Sequence, residues 1–180
     1  SLEKLIILDR PDLLSSLVHT NGRWLLPNSL GELESNDHSQ GTLQLCFPRD
    51  ITSLKKLTVC FSKDLQSLQL HSCTALEELK IRGCGSLTAL QGLQFLGSLR
   101  HLTVYNCPGL PPFLESFSRQ GYTLLPRLKR LDIQDPFILT TSFCRHLTSL
   151  QHLKLTWLEE VGLTDEQEQV LVLLESLQVL

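Results

Sequence analysis

Cysteine and histidine are the side chains best suited to metal or nucleophile chemistry, and this chain has six of each. A zinc site draws its ligands from closely spaced pairs such as Cys-x-x-Cys. Cys46, Cys60, Cys73, Cys84, Cys107 and Cys144 contain no such pair. His19, His38, His71, His101, His146 and His152 share no common spacing and form no His-Glu-x-x-His. None of the cysteines is followed two positions later by Asp, so a Cys-x-Asp nucleophile is absent. No Gly-x-x-x-x-Gly-Lys-Ser/Thr loop is present to cradle a phosphate. The expectation is a chain that is not an enzyme, with no metal and no cofactor of its own.

The cysteines belong instead to a repeating pattern. Leu76-x-x-Leu79-x-Ile81-x-x-Cys84 recurs as Leu99-x-x-Leu102-x-Val104-x-x-Cys107. Shorter copies begin at Leu2, Leu54, Leu128, Leu150 and Leu174, and a degenerate one at Leu30 has Ser35 where an aliphatic residue belongs. The second leucines fall at 5, 33, 57, 79, 102, 131, 153 and 177, with intervals of 28, 24, 22, 23, 29, 22 and 24. Leucine-rich repeats run roughly 20–29 residues.

In Leu-x-Leu the two leucines point to one side of a strand. A single such strand cannot bury them, but a stack of coils can. The predicted fold is therefore α/β: one leucine-rich-repeat solenoid over residues 1–180, with about eight irregular repeats. A parallel sheet lines the concave side of a curved horseshoe, and an irregular, short-helical chain returns along the convex side. Cys84 and Cys107 are expected to face inward as structural thiols bonded to turn backbone. Leu65–Leu70 matches the motif but lies 11 residues from each neighbouring strand, too close for a full coil, so it reads as return chain aligned with Leu87-x-x-Leu90.

Pro111–Phe117 is predicted to be a short helix facing Phe113, Leu114 and Phe117 to the core. Thr164-Asp-Glu-Gln167 is a capping-box pattern starting a helix that buries Val170, Leu171 and Leu174. Leu13–Leu26 reads only as irregular. Ser35 implies a weaker sheet in the second repeat. The last repeat has no polar cap, which predicts an exposed apolar end and poor solubility of this piece alone.

Net charge is −3, hydrophobic residues make up 42% and charged residues 19%, which places the chain among ordinary globular sequences rather than disordered tails. The balance gives no bulk reason to expect nucleic acid or a membrane surface. The longest apolar run, Val170–Leu174, is far too short to span a membrane. There is no signal-peptide pattern and no glycosylation sequon, and the irregular cysteine spacing does not suggest a disulfide framework. A reducing intracellular compartment follows, the cytoplasm first and the nucleus second. The chain begins at Ser1 within the pattern and stops at Leu180 inside an apolar run, and so reads as a piece of something longer.

The outward strand positions form a ribbon on which a partner would dock. Lys4, Ile6 and Leu8 open it, and Glu32, Glu34 and Asn36 make its second row acidic. From the third row to the seventh it is enriched in Lys, Arg and His. Lys56, Lys80, Arg82, His101, Tyr105, Arg130, His152 and Lys154 are the candidate partner-binding residues, with Arg100 and Lys129 beside them. A solvated sheet face must be polar in any case. The sharper expectation is a strip for an acidic protein surface, with Tyr105 and Trp157 as anchors.

Leu76-Glu-Glu-Leu-Lys-Ile-Arg-Gly-Cys-Gly-Ser-Leu87 resembles the repeats of plant nucleotide-binding leucine-rich-repeat immune receptors of the cereal coiled-coil subclass. So do Leu99-Arg-His-Leu-Thr-Val-Tyr-Asn-Cys-Pro-Gly-Leu110 and Leu163-Thr-Asp-Glu-Gln-Glu-Gln169. The resemblance spans essentially the whole chain and rests on the Cys-x-x-Leu turn and the uneven repeat lengths. It implies the C-terminal part of a disease-resistance receptor's repeat region. Such a region senses a pathogen effector or a guarded host protein and holds the receptor's own nucleotide-binding domain inactive. ATP or ADP would belong to that upstream domain. The competing resemblance is to the substrate-recruiting repeats of an F-box ubiquitin-ligase adaptor, whose consensus Cys73-x-x-Leu76-x-x-Leu79-x-Ile81-x-x-Cys84 fits for one unit. A secreted receptor ectodomain stands third, because its Leu-x-Gly-x-Ile-Pro signature is missing.

Overall fold

The computed structural model describes residues 2–9, 27–36, 51–121, 123–134, 138–156 and 163–174. Nine strands alternate with return segments: β1 (Lys4–Leu8), β2 (Glu32–Asn36), β3 (Lys56–Cys60), β4 (Ser67–Gln69), β5 (Glu78–Arg82), β6 (Ala89–Gln91), β7 (His101–Tyr105), β8 (Arg130–Ile133) and β9 (His152–Leu155). Seven of them make one parallel sheet in the order β1-β2-β3-β5-β7-β8-β9.

The register explains why the motif repeats. Leu5, Leu33, Leu57, Leu79, Leu102, Leu131 and Leu153 stand in one row across the sheet. Ile7, Ser35, Val59, Ile81, Val104, Ile133 and Leu155 form the second inward row, two residues on. Leu57, Leu79, Leu102 and Leu131 are fully buried; each such side chain contributes roughly 1.5–3 kcal/mol relative to an exposed one. Ser35 is buried in this row too, and β2 pairs with both neighbours over all five residues. The sheet is thus not shortened there, because backbone pairing and the flanking Ile7 and Val59 carry the strand past one missing aliphatic side chain.

Each coil enters its strand in the same way. The carbonyl just before one strand accepts two successive amides from the next coil: Glu77 O takes those of Arg100 at 2.8 Å and His101 at 3.0 Å, and Arg100 O takes those of Lys129 and Arg130, both at 2.9 Å. Coils leave through a left-handed residue: Asp9, Phe61, Gly83 and Asn106 have φ of 50°, 58°, 65° and 52°.

The return chain packs Leu65, Leu68, Leu70, Leu87, Leu90 and Leu93 against the sheet leucines, and this is where the core sits. Leu65–Leu70 is return chain aligned with the Leu87–Leu90 segment, as its spacing requires. It is also more ordered than the sequence indicates: β4 and β6 pair in parallel, Leu68 opposite Leu90, as a second small sheet. Nearly equal intervals of 22 and 23 residues keep these two return legs in step.

The 29-residue interval accommodates a helix instead, α1 (Leu110–Ser118), with proline in its first turn. Its buried stripe is Leu110, Pro111, Leu114 and Ser118. Of the three residues expected to face the core, only Leu114 is fully buried. Phe113 and Phe117 are half-buried and stack on each other at 5.4 Å. The helix starts one residue earlier than expected, and its i, i+4 line through Leu110, Leu114 and Ser118 turns inward. Ser118 donates its hydroxyl to the Leu114 carbonyl, which satisfies it inside the core.

A four-residue helix α2 (Thr141–Cys144) and a longer α3 (Asp165–Leu173) follow. Thr164 and Gln167 form the capping box in both directions, at 3.3 and 3.0 Å. Val170 and Leu174 are buried, whereas Leu171 is half-buried. Leu13–Leu26, Trp157 and the strand expected near Leu177 lie outside the described residues.

Candidate partner-binding face

One face of the seven-stranded sheet is covered by the chain's own return segments. The other carries the alternate strand positions, which include every candidate residue named from sequence. Lys56, Arg82, Arg130 and Lys154 are exposed; Lys80, His101, Tyr105 and His152 are half-buried. Three neighbours on this face do not fit the picture of a solvated ribbon. Cys60, Thr103 and Asp132 are buried, with Thr103 only 1% exposed. Thr103 and Asp132 lie against the longer side chains of His101 and Arg130.

The cations do not form a free basic strip. Parallel register places Glu32 between Lys4 and Lys56, and it bonds both, at 3.4 and 3.0 Å. Lys80 pairs with Glu78 on its own strand at 2.6 Å. Arg130 donates through Nε to both oxygens of Asp132, at 2.9 and 3.1 Å. His101 stands between these two pairs, its Nδ1 3.4 Å from Glu78 and its Nε2 3.2 Å from Asp132, with Thr103 Oγ1 also 3.2 Å from Nε2. The result is a linked row of acidic and basic side chains across β5, β7 and β8, with His101 at its centre.

The electrostatic consequences follow from these contacts. The hydrogen bond from Lys56 is the main cause that holds the Glu32 carboxyl below its ordinary value, and the same bond raises Lys56. Burial pushes Glu78 up, but the Lys80 hydrogen bond and the charges of Lys80, His101 and Lys56 together outweigh it, so its net direction is down. Asp132 raises Arg130 in the same way.

A second feature lies at the C-terminal ends of the strands. The Arg82 guanidinium sits over the Tyr105 ring, 5.1 Å from its centroid. The Tyr105 hydroxyl reaches Thr156 Oγ1 at 3.4 Å, two strands away across β8. Tyr105 therefore points toward β9, with Arg82 over its ring and its hydroxyl at Thr156. Sequence reasoning picked Tyr105 and Arg82 but not this joint arrangement. The pairing roles of Glu32, Glu78 and Asp132 were also missed, although the equal motif positions of Glu32 and Glu78 and the Arg130-x-Asp132 spacing contained the signal.

Among the described residues, the cysteines other than Cys60 stand apart from this face. Cys84 and Cys107 are buried, and their sulfurs donate to strand-end carbonyls, Cys84 to Arg82 O at 3.5 Å and Cys107 to Tyr105 O at 3.2 Å. The Cys84 thiol is pushed far up by its contact with Cys107 and by burial. Burial alone pushes Cys73 and Cys144 up to about 12. Such thiols are inert packing residues. Among the described residues, no group of three or more His, Cys, Asp or Glu side chains is placed to hold a metal ion.

On the opposite side, the short α2 lies between two nine-residue helices, and an open cleft of about 470 Å³ remains at this place. Its lining includes Pro111, Pro112, Glu115, Leu139 and Glu166. Among the described residues no helix is long and apolar enough to cross a membrane. Compared with family models and with curated proteins, the chain matches none of them.

Proposed function

We propose that the chain is a leucine-rich-repeat solenoid, curved with the seven-stranded sheet on its concave side, and that it serves as a protein-recognition module. The observation that carries this reading is the sheet's open face. Seven strands in unbroken parallel register present long polar and aromatic side chains, while the opposite face is sealed by apolar packing. A surface of that kind offers a partner a wide, rigid and chemically varied platform, as repeat proteins do.

The repeat sequences carry the reading further, toward the repeat region of a plant nucleotide-binding leucine-rich-repeat receptor working in the cytoplasm. In that role the open face meets a pathogen effector or guarded host protein, or restrains the receptor's own nucleotide-binding domain. The test uses the full-length protein that carries this chain, with Lys80→Glu, Arg82→Glu, Arg130→Glu and Lys154→Glu combined, expressed in leaf tissue at matched levels. Loss of cell death toward one effector supports recognition by this face. Death without an effector supports a restraining contact. An unchanged response rejects the open face as the working surface.

A further inference from the structure

The ion pairs on the open face are unevenly distributed. Lys4 and Lys56 share Glu32, with the Glu34 carboxylate one row on; Lys80 has Glu78, and Arg130 has Asp132. Charges paired this closely cancel beyond a few ångströms, and salt screens the remainder. Arg82 and Lys154 are different. Both are open-face cations, and neither meets a carboxylate within ion-pair distance among the described residues. They bracket Tyr105, which leans against Arg82 on one side and reaches toward β9, the strand of Lys154, on the other.

We infer that this end of the open face receives an acidic, extended segment of a protein partner, with Arg82 and Lys154 as the two carboxylate receivers and Tyr105 as the platform between them. The inference rests on the reading of the open face as a recognition surface and names the chemistry of what it takes. Three features of the geometry support it. The Arg82 fork is pre-oriented by the ring beneath it, so less freedom is lost when it closes on a carboxylate. Tyr105, with Arg82 over its ring and its hydroxyl at Thr156, offers aromatic contact area at low entropic cost, and tyrosine and arginine are frequent anchors at interfaces. The two cations stand three strand steps apart, roughly 15 Å at about 4.8 Å per step. An extended chain covers that span in four to five residues at about 3.3 Å each. Two acidic side chains at i and i+4 therefore match, and both point to the same side.

The test measures binding of a labelled hexaglutamate peptide to the full chain by fluorescence anisotropy at low salt, with hexalysine as the control. Two double variants remove equal formal charge: Arg82→Gln with Lys154→Gln, and Lys4→Gln with Lys56→Gln. The expected result is hexaglutamate binding that the first variant weakens by about tenfold, as loss of two solvent-exposed ion pairs implies, and the second by less than about twofold, since those two lysines are already paired with Glu32. Arg82→Lys, which keeps the charge and loses the fork, falls between. Equal loss in both double variants, equal binding of hexalysine, or no hexaglutamate binding by the unaltered chain overturns the inference. These outcomes are independent of the leaf response, so a failed acidic site and a failed recognition face are told apart.

Discussion

Phe61 Cδ1 lies 2.7 Å from where a β-carbon on Gly83 would stand, and both residues occupy the left-handed region, with φ of 58° and 65°. They hold equivalent positions in successive coils, each the first residue after its strand. The sharp exit from the strand demands the positive φ, and the ring of one coil rests in the space that the missing side chain of the next leaves open.

Gly83→Ala should therefore destabilise the chain twice over, through backbone strain and through the displaced ring. The expected cost is about 1–3 kcal/mol in urea unfolding. Phe61→Gly should relieve the strain at 61 but leave Gly83 uncovered, giving a smaller net change. A Gly83→Ala variant as stable as the parent would show that the exit turn does not need a left-handed residue.

This relationship marks the boundary of what the sequence discloses. The strands were legible because a period-two leucine pair needs covering and the coil length fixes where the cover comes from. The capping box at Thr164 was legible because it is local. The β4–β6 pairing was less so, since three-residue strands carry almost no pattern of their own and are held by the coils around them. The open face misled in a specific way. Reading along the chain shows lysines and arginines, while reading across the coils shows Glu32 between two lysines and Asp132 against His101. Pairing between side chains 24–31 residues apart depends on exact register, and register became visible only in the folded sheet.

Acid should unfold this protein partly through that same pairing. Glu78 and Glu32 are held below their ordinary value of 4.5 in the folded state. A depressed folded value means that the unfolded chain binds protons first, so their stabilising contribution is present above the ordinary value of 4.5 and is lost as pH falls through the lowered folded values. The melting temperature of a Glu32→Gln, Glu78→Gln variant should lie below that of the parent near neutral pH and converge with it in acid. A constant gap across that range would remove ionisation as the cause.

The cysteines set the alkaline limit. Burial pushes Cys73 and Cys144 up to about 12 from an ordinary 9.0. A raised folded value leaves the thiol form favoured in the fold, so this contribution is complete below pH 9 and erodes between about pH 9 and 12 as the unfolded chain ionises. At pH 8 in a Cys46→Ser background, alkylation by iodoacetamide should therefore track global unfolding rather than thiol chemistry. Rapid labelling of Cys73 or Cys144 under native conditions would contradict their burial.

Thr164→Ala should cost about 1 kcal/mol, because it removes one side of the capping box while Gln167 keeps the other. The loss should be local. Amide exchange should quicken over Asp165–Leu173 and remain unchanged in β5 and β7, since adjacent coils hold those strands independently of the helix.

Ser62 offers the clearest case of a side chain that the fold tolerates rather than needs. It lies two residues beyond β3, at the position that Cys84 and Cys107 take in the next two coils, and it is 2% exposed. The Ser62 backbone acts on the Cys84 thiol, and the Gly83 and Cys84 backbones act on the Cys107 thiol, each favouring the ionised form, so the three equivalent positions follow one another along the stack as a ladder. The backbone part of Ser62 is thus used, but its buried hydroxyl oxygen finds no hydrogen-bond partner among the described residues. A buried hydroxyl without a partner costs more than an apolar group of similar size. Ser62→Ala should consequently be neutral or stabilising by up to about 1 kcal/mol, and Ser62→Cys should do at least as well by extending the sulfur ladder one coil further. Chemical unfolding of the two variants decides the matter: a clear loss of stability in both would mean that the hydroxyl is bonded after all, and that the ladder depends on oxygen at its first rung.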